Sequence, residues 1–184
     1  MVLEYIVSQK DSNKTIKDFL LGKNISHRLL LTLKVNQAIF CNDVSVFTNH
    51  IINVGDKITL DLNYEEEADN IVASPIDLNI IYEDDCLLIL NKPPHMPVHP
   101  SLHYYDTSLS NGVKYYFDKI GLKKKIRPVN RLDKDTSGLV IFAKNEYVQE
   151  NLIMQMKSKQ FQKEYIAVVD GILDEKKRNN KCTH

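Results

Sequence analysis

Apolar positions along the chain fall into two groups of short elements separated by an acidic stretch. Ile16, Phe19 and Leu20, at i, i+3 and i+4, predict a short helix over 14–22 that Gly22 can stop. Ser26 is placed to cap a second helix over HRLLLTLKV. AIFCND and SVFTN flank a turn at Asn42-Asp43. Gly55-Asp56 forms another turn before KITLDL, where Ile58, Leu60 and Leu62 alternate with polar residues as in a half-buried strand. Two helices followed by three strands predict a small α+β module over residues 1–62.

The second group opens with NIIYED and CLLILNK, a strand pair around Glu83-Asp84-Asp85. A stiff proline-rich loop, KPPHMPVHP, follows. Leu109, Val113, Tyr116 and Phe117 predict a helix over 107–120, with Thr107 as its N-cap. LVIFAK reads as a buried strand. Val148, Leu152, Ile153 and Met156 predict a helix over 146–157, and YIAVVDG a strand ended by Gly171. The whole reads as an α+β chain: a small module, an acidic linker over 63–77, and a sheet domain with flanking helices over 78–184.

Charge sharpens this division. The 184 residues balance at 24 basic and 24 acidic. Residues 63–85 hold eight acids and no base, whereas residues 86–184 hold 17 bases and ten acids. The acidic stretch reads as solvated linker, and the C-terminal part has the sign that suits a polyanion. No apolar run is long enough to span a bilayer. Cys41, Cys86 and Cys182 lack CxxC spacing, which argues against a zinc site or disulfide scaffold and fits a reducing cytoplasm.

Three segments carry candidate chemistry. His95, His99 and His103 are four apart, but Pro93, Pro94, Pro97 and Pro100 forbid the helix that would make them a metal site. RPVNRLDKDTSGLVIFAKN packs Arg131, Asp133, Lys134, Asp135, Thr136 and Ser137 into a polar loop that enters an apolar strand through Gly138. Leu132 would anchor the loop so that the Asp133 carboxylate projects into a cleft, or the acids cap the turn. Capping is the better reading for Asp135, Thr136 and Ser137. In KQFQKEYIAVVDG, Tyr165 either packs in the core or offers its ring to a base.

In this order, LNKPPHMPVHPS, RPVNRLDKDTSGLVIFAKN and KEYIAVVDG resemble the large-subunit-type (RluA-like) RNA pseudouridine synthases. Residues 1–62 resemble the S4-like RNA-binding module often fused to these enzymes. The resemblance implies isomerisation of uridine to pseudouridine in ribosomal or transfer RNA, without metal or organic cofactor, by a cytoplasmic monomer with no membrane partner. It implies Asp133 as the catalytic aspartate, Arg131 beside the space left by a flipped-out base, and Tyr165 stacked on that base. Lys92, His99, Lys124, Lys125, Arg127, Arg28 and Lys34 are the expected RNA-binding residues.

Two departures stand out. Asn130 occupies the position where the family more often has histidine. The family also continues past the tyrosine strand to a Gly-Arg-Thr-His-Gln-like segment, absent here, so the expected catalytic domain is C-terminally truncated. One choice of codons for Arg178 to His184, read one base later, encodes Gly-Thr-Ile-Asn-Ala-Pro, which is family-like. A slip in an A-rich tract at Lys176-Lys177 would account for the tail. The alternative implied is an inactive RNA-binding fragment of such an enzyme.

Overall fold

A computed structural model describes residues 1–66 and 70–171. Glu67, Asp69, Cys182 and the tail from Lys176 lie outside the described residues. The first part runs β1 (Val2–Ile6), a 3-10 turn (Gln9–Asp11), α1 (Ile16–Gly22), α2 (His27–Val35), β2 (Ile39–Cys41), β3 (Val44–Ser45) and β4 (Lys57–Asp61). All strand pairs are antiparallel, in the order β1-β4-β2-β3. Thr15 and Ser26 cap the two helices, accepting from Asp18 N (3.1 Å) and Leu29 N (3.0 Å). Such caps satisfy backbone donors that a helix cannot pair internally. The apolar helix faces, with Ile16, Phe19, Leu20, Leu29 and Leu33, pack on Ile39, Ile58 and Leu60 of the sheet.

Strand β1 was not among the expected elements. Its inner positions, Leu3 and Tyr5, pair with Leu60 and Ile58. Its outer positions include the exposed Val2 and Ile6, which blur the two-residue alternation. Asn42 and Asp43 have φ of +50° and +65°, the left-handed pair of a tight hairpin.

The second part runs β5 (Ile80–Glu83), β6 (Leu87–Lys92), α3 (Leu109–Lys119), β7 (Arg127–Pro128), β8 (Gly138–Ala143) and α4 (Glu146–Lys157). Its antiparallel sheet has the order β5-β6-β8-β7. The protein is therefore an α+β fold with two antiparallel sheets. Leu88, Leu90, Val140 and Phe142 bury one sheet face against Leu109, Val113 and Phe117 of α3. A β-carbon at Gly112 would lie 2.9 Å from Leu78 Cδ2, so glycine lets α3 lie close to the segment before β5.

Three local expectations are corrected. Ser108, not Thr107, caps α3: its N–H and hydroxyl both donate to Asn111 Oδ1. β8 is not buried on both faces, because Leu139 is 56% exposed on the side away from α3. Residues 165–171 form no strand among the described residues. Ile166 and Val168 are fully exposed there, and no strand among the described residues pairs with this segment.

The acidic stretch is also more than solvated linker. Glu66 grips Arg127 through two bonds of 2.5 and 2.6 Å, with both side chains over 90% buried. Lys124 Nζ donates to the carbonyls of Leu62 and Tyr64 and lies 4.4 Å from the Tyr64 ring centroid. Across the same junction Arg28 Nε meets Glu146 Oε1 at 2.8 Å, Ser26 Oγ donates to Glu150 at 2.7 Å, and Tyr147 of α4 packs on the first core. A buried charge pair, a second pair at the surface and shared core contacts thus join the two parts.

Candidate active site

The loop between β7 and β8 carries Arg131 to Ser137 and is fixed from below. Leu132 packs on the second core, as its position between two polar residues predicts. Thr136 N donates to Asp133 O at 3.2 Å, closing a turn around Lys134 and Asp135. Gly138 returns the chain into β8 at φ +130°, a conformation side-chain-bearing residues rarely adopt. Asn130 holds the other end. Its amide donates to Leu139 O and accepts from Ile141 N, both at 2.9 Å, so this residue works on the β8 backbone.

The proline-rich loop after β6 clamps the same turn from the side. Lys92 is fully buried, and its ammonium donates to Pro93 O (2.9 Å), Met96 O (2.8 Å) and Lys134 O (2.9 Å). Burial pulls its pKa down, and the charges of Asp135 and Asp133 resist that. Met96 N donates to Lys134 O at 3.2 Å, and Lys134 Nζ reaches Tyr104 Oη at 2.9 Å. His95, itself at φ +64°, bonds Asp135 at 2.9 Å and holds that carboxyl below its usual range. Asp135 therefore pairs outward with a histidine and does not cap the turn.

Beside the loop lies a cleft of about 710 Å³. Its floor is the open sheet face, Ile89, Leu139 and Ile141. Leu132 and Asp135 edge one side, and Phe161 and Tyr165 the other. Tyr165 is 63% exposed, with its ring free to meet a ligand. Asp133 and Arg131 are exposed and do not line this cleft, although their loop borders it. His99 is half-buried; its burial, then the charge of Arg131, hold it below the usual histidine range. The apolar floor with a few polar groups at its rim is the ordinary make-up of a small-ligand site.

The family model for RNA pseudouridylate synthase matches residues 86–184, more than half of the chain. The chain belongs to that family. It is 32% identical over 176 residues to the uncharacterized RNA pseudouridine synthase YhcT of Bacillus subtilis, covering 95% of this chain and 58% of that protein. It is 40% identical over 135 residues to YlyB, another uncharacterized RNA pseudouridine synthase of that bacterium, covering 72% and 44%. Ribosomal large subunit pseudouridine synthase D of Blochmanniella floridana is 33% identical over 176 residues, covering 92% and 51%. The chain spans about half the length of the curated relatives it matches.

Within this family chain, the basic residues expected to bind RNA divide sharply. Lys92 forms an internal clamp, with three carbonyls around its ammonium. Arg127 and Lys124 form struts between the two parts, bonded to Glu66 and to backbone carbonyls. Arg28 is exposed at its rim but tied to Glu146. Lys34, Lys125 and Arg131 have no ion-pair partner among the described residues. The residues not foreseen are His95, Tyr104, Phe161 and the open face of β6 and β8. The alternation Leu139-Val140-Ile141-Phe142 held no polar residue to show which face is open. Among the described residues no helix is long and apolar enough to cross a membrane.

Proposed function

We propose that the chain isomerises uridine to pseudouridine in ribosomal or transfer RNA. The observation that carries this reading is the Asn130–Ser137 loop, clamped by Lys92, Asn130 and Leu132 beside a cleft walled by Tyr165. Asp133 engages the extruded nucleotide, and the bond from ribose C1′ to uracil N1 breaks. The base rotates, C1′ joins carbon 5, and the hydrogen at carbon 5 leaves as a proton while N1 gains one. The reaction is an isomerisation and consumes no co-reactant. Tyr165 stacks on the base and Arg131 stands beside the vacated space. Residues 1–62 act as an S4-like RNA-binding module, and residues 63–77 connect it to the catalytic part.

The test uses RNA tritiated at uridine carbon 5. Release above an Asp133→Ala control is the expected result. RNA binding with no release from the wild-type chain would sink the reading and leave a binding fragment.

A further inference from the structure

The first part carries an aromatic side chain that its own fold leaves outside. Phe47 is 74% exposed, although apolar rings of this size are normally drawn into cores. Its exposure does not come from a loose loop. Val46 N donates to Ile39 O at 3.0 Å, His50 N to Phe47 O at 3.0 Å, and Lys17 N to Thr48 O at 2.9 Å. The backbone on either side of Phe47 is thus stitched to β2 and to the start of α1, so the ring is displayed from a fixed position.

Beside it runs a small groove of about 110 Å³ between the end of α2 and the segment after β3, edged by Lys34, Gln37, Ser45, Phe47 and Thr48. Gln37 holds φ +51° just past the helix end. The Lys34 ammonium and the side chains of Gln37, Ser45 and Thr48 have no hydrogen-bond partner among the described residues. A presented ring, one free cation and three side chains able to donate or accept form a compact set. Proteins hold unpaired nucleotides with such sets: the ring stacks on a base face, the cation meets a phosphate, and amides or hydroxyls meet the base edge. The core of a protein-docking patch is instead depleted in charge.

We infer that Phe47, with Lys34 and Gln37, forms a stacking subsite for one unpaired RNA nucleotide, separate from the cleft beside Tyr165. The base lies over the Phe47 ring with its edge toward the groove, and its phosphate faces Lys34. This rests on the RNA substrate proposed above and adds that the RNA bears an unpaired nucleotide away from the target uridine.

The chain has no tryptophan, so Phe47→Trp places a single indole at the site. The probe is a short fluorescein-labelled single-stranded oligouridine, with a fully paired RNA of equal length as comparator. Phe47→Ala and Phe47→Leu are expected to weaken binding of the single strand by roughly 5- to 150-fold, since base–aromatic stacking is worth about 1–3 kcal/mol. Phe47→Trp retains affinity, and its indole emission changes on binding. Phe47→Ala leaves the slope of log affinity against log salt unchanged, whereas Lys34→Ala reduces it by about 0.7. The paired RNA is insensitive to Phe47.

Single-strand binding by Phe47→Ala within twofold of wild type overturns the inference and marks the patch as a protein-docking surface. Equal losses on single-stranded and paired RNA overturn it too, as does absence of wild-type binding to the oligouridine. Tritium release by the wild-type chain decides the proposed activity separately. Release with Phe47-insensitive binding defeats this inference alone.

Discussion

Replacing Arg127 by methionine tests whether it is a strut or a phosphate contact. The guanidinium makes two bonds to Glu66, 2.6 and 2.5 Å, and a third of 3.3 Å to Lys125 O. The Glu66 and Arg127 side chains are 8% and 7% exposed. Arg127→Met leaves the Glu66 carboxylate buried with one backbone donor, Lys125 N at 3.1 Å. Removing one partner of a buried ion pair costs about 3–5 kcal/mol. For a chain of this size that is roughly 6–20 °C in Tm. The double variant Glu66→Leu/Arg127→Met, which removes both charges, is expected to recover most of the loss. Urea unfolding followed by far-ultraviolet circular dichroism and by tyrosine emission supplies the numbers, and coincidence of the two probes checks two-state behaviour. An Arg127→Met chain within about 1 kcal/mol of wild type would refute the argument, as would a double variant no more stable than the single one.

The pH dependence gives an independent sign. Burial alone raises the Glu66 pKa, but the Arg127 bond and charge more than reverse this and leave it lowered. A carboxyl with a depressed folded pKa contributes stability above its unfolded value, about 4.3, and loses it as pH falls through the folded value. In Arg127→Met burial is opposed only by the Lys125 N–H bond and the Lys124 charge, so the folded pKa rises relative to wild type. The native variant then binds more protons than wild type, so as pH falls toward the ordinary carboxyl value of about 4.3 the variant gains stability relative to wild type. If Arg127 instead met RNA phosphate, folding would be nearly unchanged and the salt slope of RNA binding would drop by about 0.7–0.9.

Lys92→Met takes the ammonium donor from Pro93 O and Met96 O, while Lys134 O keeps Met96 N, and is expected to cost a few kcal/mol, at about 1–3 kcal/mol per orphaned group. Hydrogen exchange should then rise together in 93–97 and 133–137, and faster exchange in only one loop would contradict the clamp. Gly138→Ala forces a side-chain-bearing residue to φ +130° and is expected to destabilise by more than about 1 kcal/mol in urea unfolding. His99 has a lowered folded pKa, so its contribution makes stability rise with pH until the unfolded value, about 6.5, is passed. His99→Gln should flatten that part of the curve between about pH 5 and 7, and an unchanged curve would exclude His99 as its source.

Helix faces and turn chemistry were legible because they are local. Ser26 caps α2 and Asn42-Asp43 turns the hairpin through contacts within a few residues. Position in the sheet was less legible. LVIFAK contains no polar residue, so its alternation could not reveal that Leu139 and Ile141 lie on an open face. Tyr165 to Gly171 has strand composition, yet pairing depends on a neighbour that no local pattern encodes. Partner choice was the least legible property. Lys92, Lys124 and Arg127 have the same chemistry as Lys34, Lys125 and Arg131, and only the folded chain puts carbonyls or Glu66 around the first three.

That sorting bears on how the chain would hold RNA. The acidic stretch does not cancel the basic C-terminal part at random. Glu65 takes Lys123, Glu66 takes Arg127 and Glu83 takes Lys144. Each pair consumes a base at or near the junction or at the end of the second sheet, and the unpaired bases remain on both parts. If the two parts moved freely, their joint grip on one RNA would be set by the effective concentration that the connecting segment allows. Docked through Glu66–Arg127, Arg28–Glu146 and the Tyr147 contact, they present Lys34 and Phe47 at a fixed offset from Arg131 and Tyr165. Under the proposed function, that offset would favour RNAs whose unpaired nucleotide and target uridine match it. The contacts that hold Arg127 and Lys124 at the junction thus give the remaining basic residues a defined geometry.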